Sequence, residues 1–240
     1  DFQNPTGLTY AAENRSRICE ILRGRDVVLI EDDPYGDLRF DGERLPYIGA
    51  GKLPYSILLG TFSKTVTPGM RTGFIISENM ELLKNISIAK EAGDLHTNVF
   101  SQYLIWDYLT NNDLEAHIDR IRALYKKQAQ AMMDAIERYF PPSVRYTKPH
   151  GGMFLWVTLP EGVSAMDLFP KALEKKVAFV PGDPFYAQGV AGKSADLMYA
   201  PRVDAPVVNT MRLNFTNADC AAIEEGIRRL GDLLYGHLVG

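Results

Sequence analysis

Three short apolar runs set the rhythm of the first part of the chain. "VVLIEDD" (27–33), "SILLG" (56–60) and "GFIIS" (73–77) are continuous rather than alternating, which predicts strands buried on both faces. Ahead of them, Ala11, Arg15, Ile18 and Leu22 recur at helical spacing, with Thr9 as the expected N-cap and Gly24 as the stop. Helix, buried strand, loop and buried strand is the order of an α/β sheet with helices on its faces. In such sheets chemistry gathers just past the carboxyl ends of strands. This sequence puts Asp32 and Asp33 after one run and Lys64 after the next.

The pattern changes near residue 80. A helix is expected over 80–91, and 97–140 reads as mostly helical with an interruption at Asn111-Asn112. Leu114, Ile118, Ile121, Tyr125, Met132, Ile136 and Tyr139 keep one apolar face, and "FPP" (140–142) stops the helix. Beyond it, "MFLWVTL" (153–159), "VAFV" (177–180) and "TMRLNF" (210–215) read as strands. A helix over 165–176, disturbed by Pro170, lies between the first two. Asn217 is the expected cap of a last amphipathic helix reaching about residue 235. The stretch 187–208 has no clear period and reads as a long loop. The division expected is 1–95 as part of a larger α/β domain, 96–140 as an interdomain helical segment, and 141–240 as a small α+β domain.

Composition removes several function classes. Apolar residues make up 46% of 240 and charged residues 23%, ordinary globular usage. The net charge is -4 with both signs scattered, so the basic footprint of a nucleic-acid binder is missing. No apolar run approaches a membrane span, and no basic start with an apolar stretch suggests a signal peptide. A cytoplasmic location is expected. The first residue is Asp1 rather than Met, so the chain is expected to be a piece of a longer one. Cys19 and Cys220 lie far apart and suggest buried thiols in a reducing compartment. His96, His117, His150 and His237 lack metal-ligand spacing, and no metal is expected. "GDPFYAQG" is not followed by the glycine pattern of a dinucleotide site.

Four stretches carry candidate chemistry. In "GTFSKTVTPGMRTG" (60–73), Lys64 follows an apolar strand among Thr61, Ser63, Thr65 and Thr67, with Arg71 close behind. A surface loop with solvated cations is the plain reading. Against it stand the position after a strand, the hydroxyls and arginine that suit a phosphate, and glycines that allow close backbone approach. In "EDDPYGDLRF" (31–40), acids end a strand and Pro34 stiffens the turn before Tyr35. The opening "DFQNPTG" places Asn4 in a turn. Finally, Arg212 sits among apolar neighbours in "MRLNF", where an internal salt bridge is the structural alternative to a ligand site.

Together these stretches resemble the C-terminal part of a class I/II, fold type I, pyridoxal-phosphate aminotransferase, nearest the branch of 2-aminoadipate and kynurenine aminotransferases. The likeness runs in order through "NPTG", "EDDPYGDLRF", "GTFSKTVTPGMR", "PHGGMFLWVTLP", "VAFVPGDPF" and "NTMRLNF". It implies part of the large cofactor-binding domain, with a mostly parallel sheet and flanking helices, plus a small α+β C-terminal domain. It implies pyridoxal 5'-phosphate as cofactor, amino acid and 2-oxo acid substrates, a ping-pong cycle, and a homodimer. Lys64 resembles the Schiff-base lysine and acid–base group. Asp32 resembles the partner of the pyridine nitrogen, keeping it protonated. Tyr35 and Asn4 look like donors to the cofactor's phenolic oxygen, and Thr61, Ser63 and Arg71 like its phosphate cradle. Arg212 resembles the bidentate clamp on the substrate carboxylate, with Asn4 and Phe154 beside the substrate.

The sequence departs from the family in starting at "NPTG", after segments that complete the site, and in the length of 187–208. Two rivals stay open. One is an aminotransferase-like effector domain of a winged-helix transcription regulator. The other is a pyridoxal-phosphate lyase or racemase of the same fold. The isolated piece is expected to bind cofactor poorly.

Overall fold

The computed structural model of the chain describes residues 1–186 and 208–238; the expected loop over 187–208 falls, apart from Val208, outside the described residues. The chain divides into two compact units. The first comprises Asp1, Thr9–Ala123 and His150–Gly152, and the second Phe2–Leu8, Leu124–Pro149 and Met153–Gly240.

The first unit opens with helix α1 (Ala12–Leu22). The N-cap position belongs to Ala11, not to Thr9 as the sequence suggests, and no side chain caps it. Ahead of the helix, Arg15 Nε donates to the Tyr10 carbonyl at 3.1 Å, so Tyr10 is held outside the helical hydrogen-bond ladder. The expected stop is correct: Gly24 follows with φ +72°, a left-handed conformation that glycine adopts at no steric cost.

Strands β1 (Leu29–Asp32), β2 (Ser56–Thr61) and β3 (Gly73–Ile76) form a three-stranded sheet in that order. β1 runs parallel to β2, and β3 antiparallel to it. The apolar runs do form strands, but burial on both faces is contradicted for two of them. Ile57 and Leu58 of β2 are buried, whereas Ile30 of β1 and all four residues of β3 are exposed. Leu29 gives β1 a packed apolar side, against Cys19, Ile48 and Leu53. A continuous apolar run permits two-sided burial; a covering element must still lie on each face.

Helices α2 (Met80–Asp94), α3 (Val99–Asn111) and α4 (Leu114–Tyr139) follow. Side chains cap all three, satisfying amide groups that the first turn leaves free. Asn79 accepts from Leu82 N, Asn98 from Ser101 N and Asp113 from Ala116 N. The interruption at Asn111-Asn112 is therefore real. α3 packs against the turn Pro68–Met70. The division between the units falls inside α4, between Ala123 and Leu124.

The second unit contains β4 (Arg145–Tyr146), β5 (Phe154–Thr158), α5 (Ala165–Glu174), β6 (Val180–Pro181), β7 (Thr210–Asn214) and α6 (Cys220–Leu238). Its four strands lie in the order β4-β5-β7-β6, all antiparallel. Leu155, Val157, Met211 and Leu213 are buried, as are Met132 and Ile136 of α4, Leu168 of α5, and Leu230 and Leu234 of α6. β4, two residues long, has no counterpart among the expected strands, and two expectations change here. The strand read at 177–180 shrinks to Val180–Pro181. The last helix is capped by Asp219, which accepts from Ala222 N at 2.8 Å, rather than by Asn217. Cys19 is buried and Cys220 half-buried, and both are free thiols. Among the described residues no helix is long and apolar enough to cross a membrane.

Candidate active site

Residues 62–72 connect β2 to β3 as a hairpin, and most of the candidate phosphate and lysine chemistry lies on it. Phe62 N donates to Thr72 O at 3.2 Å across the neck. Val66 N and Thr67 N both donate to Phe62 O, at 2.8 and 3.0 Å, which winds one turn around Lys64. The Thr61 hydroxyl accepts from Ser63 N at 3.1 Å and donates to Thr72 O at 3.4 Å. Arg71 returns the chain with φ +52° and donates to Pro68 O at 3.3 Å. The neck needs glycine: a Cβ on Gly73 would lie 2.7 Å from the Gly60 carbonyl oxygen. Sequence neighbours thus become spatial neighbours, with Thr61, Ser63, Lys64 and Arg71 on one short hairpin.

Tyr35 joins them from the loop after β1. It is buried, and its ring centroid lies 5.9 Å from Lys64 Nζ, within range of a cation–π attraction. Its carbonyl accepts from Leu38 N at 2.8 Å, closing the turn Gly36–Leu38. The three acids before it separate by role. Glu31 accepts from Ile48 N at 2.9 Å and Gly49 N at 3.3 Å, and so anchors a loop. The Asp33 side chain is buried. Asp32, at the carboxyl end of β1, is exposed. Of these three acids, Asp32 has the exposed side chain, and it is the one that the family resemblance pairs with the ring nitrogen. Further along the same stretch, Arg39 donates to the Asp1 carboxylate at 3.1 Å. Burial, followed by the neighbouring Arg15 charge, lowers the Arg39 pKa below the ordinary guanidinium value.

The second unit brings together the other three candidates. Gln3 and Gly7 close the opening turn, with Gly7 N donating to Gln3 O at 2.6 Å and Gln3 N to Leu8 O at 2.8 Å. The Asn4–Pro5 peptide is cis. Gly7 has φ +68° and sits so near β5 that a Cβ would lie 2.5 Å from the Phe154 carbonyl oxygen. The Thr147 hydroxyl donates to Thr6 O at 2.8 Å and holds the other side of the turn. Asn4 is thereby set beside β7, where Arg212 Nη1 donates to its Oδ1 at 2.6 Å. The Arg212 guanidinium carbon lies 4.3 Å from the centroid of the Phe154 ring.

One residue of this set carries no role in the sequence reading. Phe185 lies with its ring centroid 5.4 Å from the Arg212 guanidinium carbon. Its only sequence signal is "PGDPF", a turn motif between two strands. A cavity of about 410 Å³ in the first unit is lined by Leu22, Arg25, Val27 and Tyr55, and by none of the candidate residues. It opens at the amino ends of β1 and β2, whereas the polar groups collect at their carboxyl ends, so the site is assigned from chemistry rather than from volume.

The donor set of the hairpin fits a phosphorylated aldehyde cofactor: an amine, two hydroxyls and a guanidinium on a short loop whose neck excludes a Cβ. Known proteins agree with that chemistry. Residues 2–222 match the family described as aminotransferase class I and II. The aromatic-amino-acid aminotransferase 1 of Thermococcus litoralis is 41% identical over 97% of this chain and 52% of its own length. The 2-aminoadipate transaminase of Thermus thermophilus is 41% identical over 99% of this chain and 56% of its own. A kynurenine aminotransferase of Pyrococcus horikoshii, solved with PMP, superposes with a TM-score of 0.86 at 40% identity. That match covers 99% of this chain and 55% of the solved one. The chain thus spans about half the length of the curated relatives it matches.

Proposed function

Because the chain belongs to the class I and II aminotransferases, we propose that the protein transfers an amino group from an L-amino acid to a 2-oxo acid. The reaction is ping-pong, with pyridoxal 5'-phosphate carried on Lys64, and the protein is a cytoplasmic homodimer. The observation that carries this reading is the hairpin that presents Lys64 beside Tyr35 together with Thr61, Ser63 and Arg71.

When bound, the cofactor supplies an aldehyde that accepts the amine and a ring that takes up electrons from the substrate α-carbon. The chain's own groups do the rest. Thr61, Ser63 and Arg71 would hold the phosphate, with the Arg71 guanidinium offering several donors to one anion. The Asp32 carboxylate would keep the ring nitrogen protonated, and Tyr35 and Asn4 would donate to the phenolic oxygen. Lys64 Nζ takes the proton from the substrate α-carbon and returns it as general base and acid. Arg212 receives the α-carboxylate on its planar N–H edge, with Asn4 as its neighbour and Phe154 beneath its guanidinium. That carboxylate is common to all amino acids. The names of the relatives make aromatic amino acids and 2-aminoadipate the first substrates to assay.

Lys64→Ala in the full-length protein is the deciding experiment. Loss of the covalent anchor and of general acid–base catalysis is expected to lower kcat by about 10²–10⁴-fold or more, and to remove the cofactor's lysine-bound absorbance. Survival of both signals would overturn the reading. Cofactor absorbance in the parent without oxo-acid-dependent turnover of any amino acid would favour a regulator's effector domain instead.

A further inference from the structure

The aromatic contact of Phe185 with Arg212 follows from an identifiable piece of local structure. The turn Asp183–Phe185 is docked against β7 through Gly182, whose amide donates to Thr210 O at 2.7 Å. No other residue fits there, because a Cβ on Gly182 would lie 2.1 Å from the Thr210 hydroxyl. Phe185 N donates back to Gly182 O at 2.9 Å, which sets where the Phe185 side chain leaves the turn. The Trp156 ring then meets it edge-on, with centroids 5.6 Å apart and planes at 85°. Trp156 is buried, and it is the cross-strand partner of Arg212 in the β5–β7 register. Glycine, turn, aromatic pair and arginine therefore form one continuous support within the second unit.

We infer that Phe185 is a positioning residue, whose ring holds the Arg212 guanidinium for a carboxylate ligand. The inference rests on the reading of Arg212 as the substrate-carboxylate clamp. A free arginine side chain has many rotamers, and ordering it on binding weakens affinity. Rings at 4.3 and 5.4 Å already attract the cation and restrict those rotamers before the ligand arrives. They also lower the local dielectric, which strengthens the ion pair to an incoming carboxylate. Phe154 belongs to the substrate set already described. Phe185 acts only through Arg212, so its contribution is felt by ligands that use the guanidinium.

The test measures binding of 3-phenylpropanoate to the full-length, cofactor-loaded protein by calorimetry, with 3-phenylpropan-1-ol as the control lacking a carboxylate. Arg212→Ala is expected to abolish the preference for the acid; if that preference persists, the clamp reading fails, and Phe185 with it. Phe185→Leu keeps apolar bulk but removes the π face. It is expected to weaken the acid about tenfold while changing the alcohol less than about twofold. Phe185→Tyr restores a π face and is expected to stay within about twofold of the parent for both. In turnover, Phe185→Leu should raise KM by a similar factor with little change in kcat. If Phe185→Leu weakens acid and alcohol alike, or neither, or if Phe185→Tyr behaves like Phe185→Leu, the inference is overturned even where the Arg212 result stands.

Discussion

Leu155 on β5 is fully buried, while Ile76 on β3 is 53% exposed, although both stand in short, continuous apolar runs. The two sheets differ in their surroundings more than in their sequences. In the second unit, α4, α5 and α6 each contribute buried side chains alongside the strands, and α5 packs on α6. In the first unit, Leu29 of β1 packs against Cys19, Ile48 and Leu53 while Ile30 is exposed, and β3 has no buried residue. The lesson concerns what an apolar run encodes. It sets the tendency of a strand to leave water, at roughly 25 cal/mol per Å² of apolar surface. The element that removes the water has to be a second segment laid against the strand.

The largest expected contrast lies in core truncations. Leu155→Ala should cost about 2–5 kcal/mol, since it opens a cavity in a packed site. Ile76→Ala should cost less than about 1 kcal/mol, as for most exposed positions. Urea unfolding of the 240-residue chain measures both. Equal costs would break the comparison and show that β3 is covered in solution.

A smaller effect probes how each region meets an added methyl group. In α6, a Cβ on Gly231 would lie 2.3 Å from the Tyr139 carbonyl oxygen, a backbone atom of α4. Gly231→Ala should therefore cost about 1–3 kcal/mol, although alanine is the better helix former. In β2, a Cβ on Gly60 would lie 2.2 Å from the Phe74 ring. That ring belongs to an exposed side chain that can swing aside, so Gly60→Ala should cost less than about 1 kcal/mol in stability. Thermal melts of the two variants would sharpen the comparison, and the reverse order would break it.

The smallest effect is electrostatic. Hydrogen bonds from Arg228 and then Arg229 hold the Glu225 pKa down to about 2, from an ordinary 4.5. A carboxyl with a depressed folded pKa stabilises the protein above its ordinary pKa and loses that contribution as pH falls through the folded value. The stability gap between the parent and Glu225→Gln should therefore be steady above about pH 5 and close between pH 4.5 and about 2. Because the pair is solvent-exposed, high salt should shrink it. A gap independent of pH would remove the ion pair from the account of α6.

Much of the site could be read locally. Lys64, Thr61, Ser63 and Arg71 lie within one hairpin, and Asp32 and Tyr35 within one loop, so sequence spacing nearly equals spatial arrangement. The helix interruption at Asn111-Asn112 and the stop at Gly24 were legible for the same reason: caps and left-handed residues act within a few positions. The start of α1 was not legible, because no side chain caps it at Ala11 and Arg15 bonds the Tyr10 carbonyl ahead of it. Nor was the division of the acids, because the partners of Glu31 lie in the loop around Ile48. Phe185 went unread because the residues that its ring meets, Arg212 and Trp156, lie far from it in sequence.

Residue type and short-range order therefore placed the groups that resemble those of the class I and II aminotransferases: an amine, hydroxyls and an acid just past strand ends, and an arginine within a strand. Folding settled which of those groups meet. Asn4 and Arg212 are 208 positions apart and share a hydrogen bond of 2.6 Å. Gly7 permits it by letting the opening turn lie against β5, and β7 permits it by pairing with that same strand. Periodicity reports one segment at a time, whereas burial and long-range contact depend on a second segment. That dependence is why the strands were foreseen and their exposure was not.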